Sequence, residues 1–375
     1  MRGGDVVGRR QQVRLLAVVG GVVLIAAAVV LIAVHAPGGD RPPVRAACPD
    51  TCPRTSTGPA GPTLRGLART HTLRFGTAAN TGALLSDPTY REVLARQFSA
   101  VTAEDAMKWA KVEPARGSYD WADADRLVDF AHRNGQEVYG HTLVWHAALP
   151  AWLATVDRTQ LAAVLRAHVE DEVARYRGRV WAWDVVNEAF NADGTLRDSI
   201  WLRTLGPDYI AQVFGWAHAV DPKATLFLND FGIEDVNGKS NGVYVLVKRL
   251  RAEGVPIGGV GFQTHWTTDP LPVGFAANLR RFTALGVDVA ITEADVRITL
   301  PVTFDKLAAQ ASVYRQAITA CLSTARCVSF TVWGFTDRYS WIPERNVEDG
   351  AACLFDATYR PKGAYDAVVA ALSGH

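Results

Sequence analysis

Beyond residue 63 the chain alternates short apolar, β-rich runs with longer stretches whose apolar positions recur at helical spacing. The runs read "LRFGTAA" (73–79), "SAVTA" (99–103), "EVYGHTLVW" (137–145), "VWAWDVVN" (180–187), "TLFLND" (225–230), "GGVGFQTH" (258–265), "VDVAIT" (287–292) and "VSFTVWG" (328–334). Between them lie segments such as "TQLAAVLRAHVEDEVARYR" (159–177) and "GVYVLVKRLRAEG" (242–254), the second closed by a glycine as a helix C-cap would be. Strand and helix in strict alternation are the mark of parallel βα units. Eight such units in about 310 residues predict an α/β fold, a (β/α)8 TIM barrel over residues 64–375, whose chemistry would sit at the C-terminal ends of the strands.

The pattern changes before residue 64. Residues 15–35 hold the uncharged run "LLAVVGGVVLIAAAVVLIAV", about the length that crosses a ~30 Å hydrocarbon core. Arg2, Arg9, Arg10 and Arg14 precede it against one acid, Asp5, a bias that keeps residues 1–14 cytoplasmic and exports the rest. A transmembrane anchor is the reading adopted. A cleaved signal peptide is the alternative, although its apolar region would usually be only ~7 to 15 residues and Pro37 sits badly after "VHA". The expected localisation is extracellular on either reading. Residues 36–63 are rich in Pro, Gly, Ser and Thr without an apolar period, as in a solvated linker. An exported chain keeps disulfides: Cys321 and Cys327 flank a short turn before a strand, at a spacing compatible with a local bridge. Cys48 and Cys52 can pair within the linker, leaving Cys353 as a small buried hydrophobe.

Composition narrows the partners. Of 375 residues 49% are apolar, enough for a sizeable core. Charged residues are 21%, the net charge is +1, and there is no basic block outside the extreme N-terminus, so no footprint for nucleic acid exists. Removing the leader leaves the exported part at about −2, which also argues against polyanions. Eleven Trp residues supply core packing or flat surfaces on which an uncharged ligand can stack.

The strand ends are unusually polar. The first run ends near Asn80, the second leads to Glu104, Asp105 and Lys108, and the third carries His141, Trp145 and His146. The fourth ends in Asn187 and Glu188, the fifth in Asn229 and Asp230, and the sixth in Gln263 and His265. Glu293 and Asp295 follow the seventh, and Trp333 and Trp341 belong to the eighth and its loop. Strands four and seven face each other across an eight-stranded barrel, so Glu188 and Glu293 are opposed carboxylates. Glycoside hydrolysis needs such a pair, one acid to protonate the leaving oxygen and one carboxylate to attack the sugar or activate water.

Six ordered motifs from about residue 64 to 372 carry a resemblance: "GHTLVWH" (140–146), "WDVVNEAF" (183–190), "FQTHW" (262–266), "ITEADVRI" (291–298), "TVWGFTDRYSW" (331–341) and "LFDATYRPKGAYDAVVAAL" (354–372). Together they resemble the family 10 glycoside hydrolases, endo-1,4-β-xylanases. The resemblance implies Glu188 as acid/base, Glu293 as nucleophile, and Asn187 as donor to the 2-hydroxyl of the attacked sugar. His265 would hold the nucleophile and be oriented by Asp295. Glu104, Lys108, His141, Trp145 and Gln263 would line the glycone side, with Trp333 and Trp341 stacking around the cleaved residue. The Cys321–Cys327 pair also looks like one found in bacterial members. The family implies no cofactor and no metal, with xylan and xylo-oligosaccharides as partners; a monomer is expected, touching membrane only through its N-terminal segment.

Several positions depart from the pattern. Asp105 replaces an asparagine, Ala147 and Ala148 replace Ser-Gln, and Phe231 and Gly232 replace Tyr-Asn. Each alters a group that would meet glycone sugars, so a related retaining β-glycosidase acting on another glycan stays open, as does a non-catalytic carbohydrate-binding barrel. "GIEDVNGKS" (232–240) has one residue too many between its glycines for a phosphate loop. His141 and His146 lack a third ligand at zinc-like spacing, and Trp121, Trp152 and Trp201 read as packing residues.

Overall fold

The computed structural model describes residues 61–375. Residues 15–35, nearly all of the linker, Cys48 and Cys52 lie outside them; among the described residues no helix is long and apolar enough to cross a membrane.

The strands are β1 (Arg74–Ala79), β2 (Ala100–Ala103), β3 (Glu137–Val144), β4 (Val180–Asn187), β5 (Thr225–Asp230), β6 (Gly259–Phe262), β7 (His265–Thr267), β8 (Asp288–Thr299), β9 (Cys327–Val332) and β10 (Asp349–Gly350). Parallel pairing runs β1-β2-β3-β4-β5-β6-β8-β9, and β9 returns to β1, closing a barrel of eight. The amphipathic segments between them form helices such as Leu161–Arg175 and Gly238–Ala252, the second followed by Gly254 in the left-handed conformation. Alternation along the strands divides the core. Tyr139, Ala182, Phe227 and Ala290 form a small inner plug, while Val138, Trp183, Val185, Leu228 and Ile291 belong to the large cluster shared with the helices.

Two strands differ from the expected runs. The sixth stops at Phe262 because Thr264 has a φ of 62° and its N–H goes to the Glu234 carboxylate at 3.0 Å instead of to a neighbouring strand. The chain resumes as β7, which pairs with the outer half of β8, His265 opposite Asp295. The seventh run extends seven residues past Thr292 to Thr299, held there by β7 on one side and β10 on the other. Glu293 and Asp295 thus lie inside a continuous strand, and the pairing with β9 shifts register between Ile291 and Ala294. Cys321 and Cys327 are joined, tying the end of helix Phe304–Leu322 to the start of β9, and Cys353 is a buried free thiol.

One glycine lets β3 and β4 pack. Gly140 pairs with Trp183, and a Cβ on it would lie 2.1 Å from the fully buried indole. Gly140→Ala should therefore cost about 1–3 kcal/mol through overpacking, seen as a fall of several degrees in the thermal midpoint by calorimetry; an unchanged midpoint would show that Trp183 repacks freely.

Candidate active site

Glu188 follows the last residue of β4, and its backbone φ is 56°. A non-glycine residue held in this region costs on the order of 1–3 kcal/mol and needs surrounding contacts to fix it. The left-handed turn carries the carboxylate off the strand and into the barrel mouth, where its side chain is 15% exposed. Across the mouth the Glu293 side chain is 6% exposed.

A chain of amides joins the two acids. Asn229 donates through Nδ2 to Glu293 Oε1 at 2.8 Å and to Asn187 Oδ1 at 3.0 Å, and Thr292 donates to Asn229 Oδ1 at 2.7 Å. Gln263 Nε2 donates to the same Asn187 oxygen at 3.1 Å and lies 3.4 Å from Glu188 Oε1. With its oxygen taken twice, the Asn187 amide keeps its NH2 group for a ligand.

Glu293 has a second partner. His265 Nε2 lies 3.1 Å from Glu293 Oε2, and its Nδ1 lies 2.9 Å from Asp295 Oδ2, which also accepts from Trp341 Nε1 at 2.8 Å. Burial works against a charged His265, but the Asp295 and Glu293 carboxylates outweigh it and push the imidazolium up to about 10. Burial likewise works against ionised Glu293. The hydrogen bond from His265, the charges of His141 and His265, and the Asn229 hydrogen bond overcome it and hold Glu293 below the usual carboxylate range.

The remaining expected residues surround this pair. His141 is buried with Nδ1 2.8 Å from Asp184 Oδ2, and Tyr139 donates to the other Asp184 oxygen at 2.7 Å. Trp333 is buried with its ring 5.1 Å from that of His141 and 6.4 Å from His265, while the Trp341 ring is 5.1 Å from His265. Glu104 accepts from Asn80 Nδ2 at 3.0 Å. Burial pushes Glu104 up to about 7, with Asp105 adding to it and Asn80 and Lys108 opposing. Lys108 lies 5.4 Å from the Trp145 ring and pairs with Asp105 at 2.7 Å, an exposed contact worth little. The substituted asparagine position thus engages the neighbouring cation.

Sequence reasoning assigned no role to Asn80, Asp184 and Asn229 as holders of Glu104, His141 and Glu293. The signal for Asp184 was present: an acid in the middle of the apolar run "WAWDVVN" must be paired. His141, Asp184 and Glu293 are the one group among the described residues that brings three ligand-type atoms within 4.8 Å of one another, but each is engaged in the hydrogen bonds above. Trp152 and Trp201 pack around Trp109, and Trp121 against Tyr119 and Tyr176.

Comparison with known proteins identifies the family and the fold. The family model described as Glycosyl hydrolase family 10 matches residues 63–371. An endo-1,4-beta-xylanase of Agaricus bisporus is 42% identical over 299 residues, covering 79% of this chain and 90% of its own. Endo-1,4-beta-xylanase B of Thermotoga neapolitana is 42% identical over 311 residues, covering 81% and 90%. Native xylanase 10B from Thermotoga maritima superposes with a TM-score of 0.81 at 42% identity, over 83% of this chain and 98% of that one. Xylanase 10B from Thermotoga petrophila RKU-1, crystallised with xylobiose, gives 0.81 at 41% identity, over 83% and 97%.

The charge state of His265 is open to direct measurement. It binds its proton more tightly folded than unfolded, so it contributes stability that is fully present below the ordinary histidine range and lost as pH climbs through about 10. In ¹⁵N NMR its ring nitrogens should keep imidazolium shifts well past neutrality and give them up only near pH 10; titration in the ordinary histidine range would mean that Glu293 is not held by a cation.

Proposed function

The chain belongs to glycosyl hydrolase family 10, and we propose that Glu188 and Glu293 divide between them the double displacement of a retaining endo-1,4-β-xylanase. The observation that carries the division is the unequal company of the two acids. Glu293 accepts from an imidazolium and an amide and is kept ionised, as a nucleophile requires. The Glu188 carboxyl meets the Gln263 amide at 3.4 Å, with His146 Nδ1 3.9 Å away, which leaves it room to carry a proton.

In the first step a Glu293 oxygen attacks the anomeric carbon of the bound xylose as the glycosidic bond breaks, and Glu188 gives its proton to the departing oxygen. The product is a covalent glycosyl ester and an ionised Glu188. In the second step Glu188 takes a proton from water, the hydroxyl oxygen attacks the same carbon, and Glu293 leaves as carboxylate. Two inversions give retention. Asn187, its oxygen held by Asn229 and Gln263, is aimed to donate to the 2-hydroxyl, a contact that strengthens as the ring becomes cationic. Glu104, Lys108, His141, Trp145 and Gln263 line the glycone side, and Trp333 and Trp341 flank the sugar at the reacting bond.

Xylan and xylo-oligosaccharides are the substrates, by likeness to relatives named as endo-1,4-beta-xylanases and to one crystallised with xylobiose. The enzyme works outside the cytoplasm, tethered by residues 15–35 and the linker 36–63 or released after cleavage; the Cys321–Cys327 bridge suits such an oxidising place. A monomer suffices, because one chain supplies every group named in the cleft.

Incubation of residues 40–375 with xylan and with cellulose, following reducing ends and the anomer first released by NMR, should give β-xylo-oligosaccharides from xylan alone. α-Products would overturn retention, and release from cellulose instead would overturn the substrate. Glu293→Gln should lower turnover by at least about a thousandfold with an unchanged circular dichroism spectrum; full activity in that variant would sink the nucleophile assignment.

A further inference from the structure

The turn that presents Glu188 is tied at nearly every backbone group. Glu188 N–H donates to the Asn229 carbonyl at 2.8 Å, and Arg197 Nε donates to the Glu188 carbonyl at 2.9 Å. Arg197 Nη2 reaches the Phe190 carbonyl at 3.3 Å, and the Arg197 N–H closes the hairpin on the Ala189 carbonyl at 2.7 Å. The Phe190 N–H donates to Asp230 Oδ2 at 3.1 Å. The other Asp230 oxygen pairs with Lys239 Nζ at 2.7 Å and accepts the Phe231 N–H at 3.0 Å.

Asp230 and Lys239 are 1% and 3% exposed. A buried ion pair is a poor source of stability, because desolvation of both charges offsets their attraction. Its location gives it another use. Lys239 lies in the first turn of helix Gly238–Ala252, against which the 189–197 hairpin packs through bare backbone: a Cβ on Gly194 would lie 2.3 Å from the Gly238 carbonyl, and one on Gly242 2.3 Å from the Gly194 carbonyl. The helix is drawn against the hairpin, and its lysine fixes the carboxylate that fixes Phe190.

We infer that Arg197 and the buried Asp230–Lys239 pair are positioning residues that clamp the left-handed turn at Glu188 and so set the aim of its carboxyl group at the leaving oxygen. Their side chains bond backbone groups and one another, not the Glu188 or Glu293 carboxylate. The inference rests on Glu188 as the general acid, and it separates positioning for proton donation from positioning for attack, since Glu293 is held by a different set of contacts.

That separation supplies the test. A 2,4-dinitrophenyl β-xylobioside departs as a stable phenolate and needs no proton, whereas xylotetraose needs one. Asp230→Asn keeps the shape of the side chain but removes its charge, and Arg197→Lys keeps a cation but cannot reach both carbonyls. Each should lower kcat/KM for xylotetraose about ten- to hundredfold, a part of what general acid catalysis supplies, while kcat/KM for the dinitrophenyl glycoside changes less than about threefold. Glu188→Ala, run in parallel, should show the same split more strongly. If Glu188→Ala loses both substrates alike, the acid assignment fails. If it shows the split and folded Asp230→Asn and Arg197→Lys lose both alike, or neither, the clamp is overturned. Should Asp230→Asn not fold, Arg197→Lys and Lys239→Gln carry the same comparison.

Discussion

A carboxylate that must remain charged while buried needs a cation beside it, and the mouth of this barrel is arranged around meeting that need at Glu293. Burial alone would drive the group neutral. The cation is His265, kept charged by Asp295 on its far side together with Glu293 itself. Asp295 in turn is steadied by the Trp341 indole N–H. This order accounts for the two irregular strands. β8 must continue beyond the barrel to carry Asp295 two residues after Glu293, and β6 must break at Thr264 so that β7 can set His265 opposite Asp295.

The acid facing it is mounted differently. Glu293 sits within a twelve-residue strand paired on both sides, while Glu188 stands on a turn held by side chains from the hairpin, the end of β5 and the following helix. A nucleophile has one trajectory and gains from a stiff mount. A group that gives a proton in one step and takes one in the next meets both oxygens on the same face of the sugar when configuration is retained, and a turn fixed through its backbone keeps one aim for both steps.

Much of this was legible from residue order. The eight apolar runs and the acids following runs four and seven were enough for the barrel and for opposed carboxylates, because burial imposes its pattern on every strand. What escaped were the distances between elements far apart in sequence. Asn229 reads as one polar strand end among several; only the register of β5 between β4 and β6 makes it the link between Glu293 and Asn187. Asp184 could be flagged as in need of a partner, but nothing local says that the partners are Tyr139 and His141. The break in β6 was hidden because "FQTHW" is as strand-like as its neighbours, and a left-handed threonine has no signature in composition. The Asp105–Lys108 contact was concealed for the opposite reason: it is local, but an exposed pair has no burial pattern to announce it.

The long β8 strand joins two things that many enzymes keep apart. Its inner half closes the barrel against β6 and β9, and its outer half carries the charged centre between β7 and β10. Loosening the mouth by local opening would therefore mean breaking pairings on a strand that also closes the barrel. Heat that frees the Glu293 centre must also fray the strand that closes the barrel, so on this side of the mouth loss of the charged group and loss of the fold begin as one event.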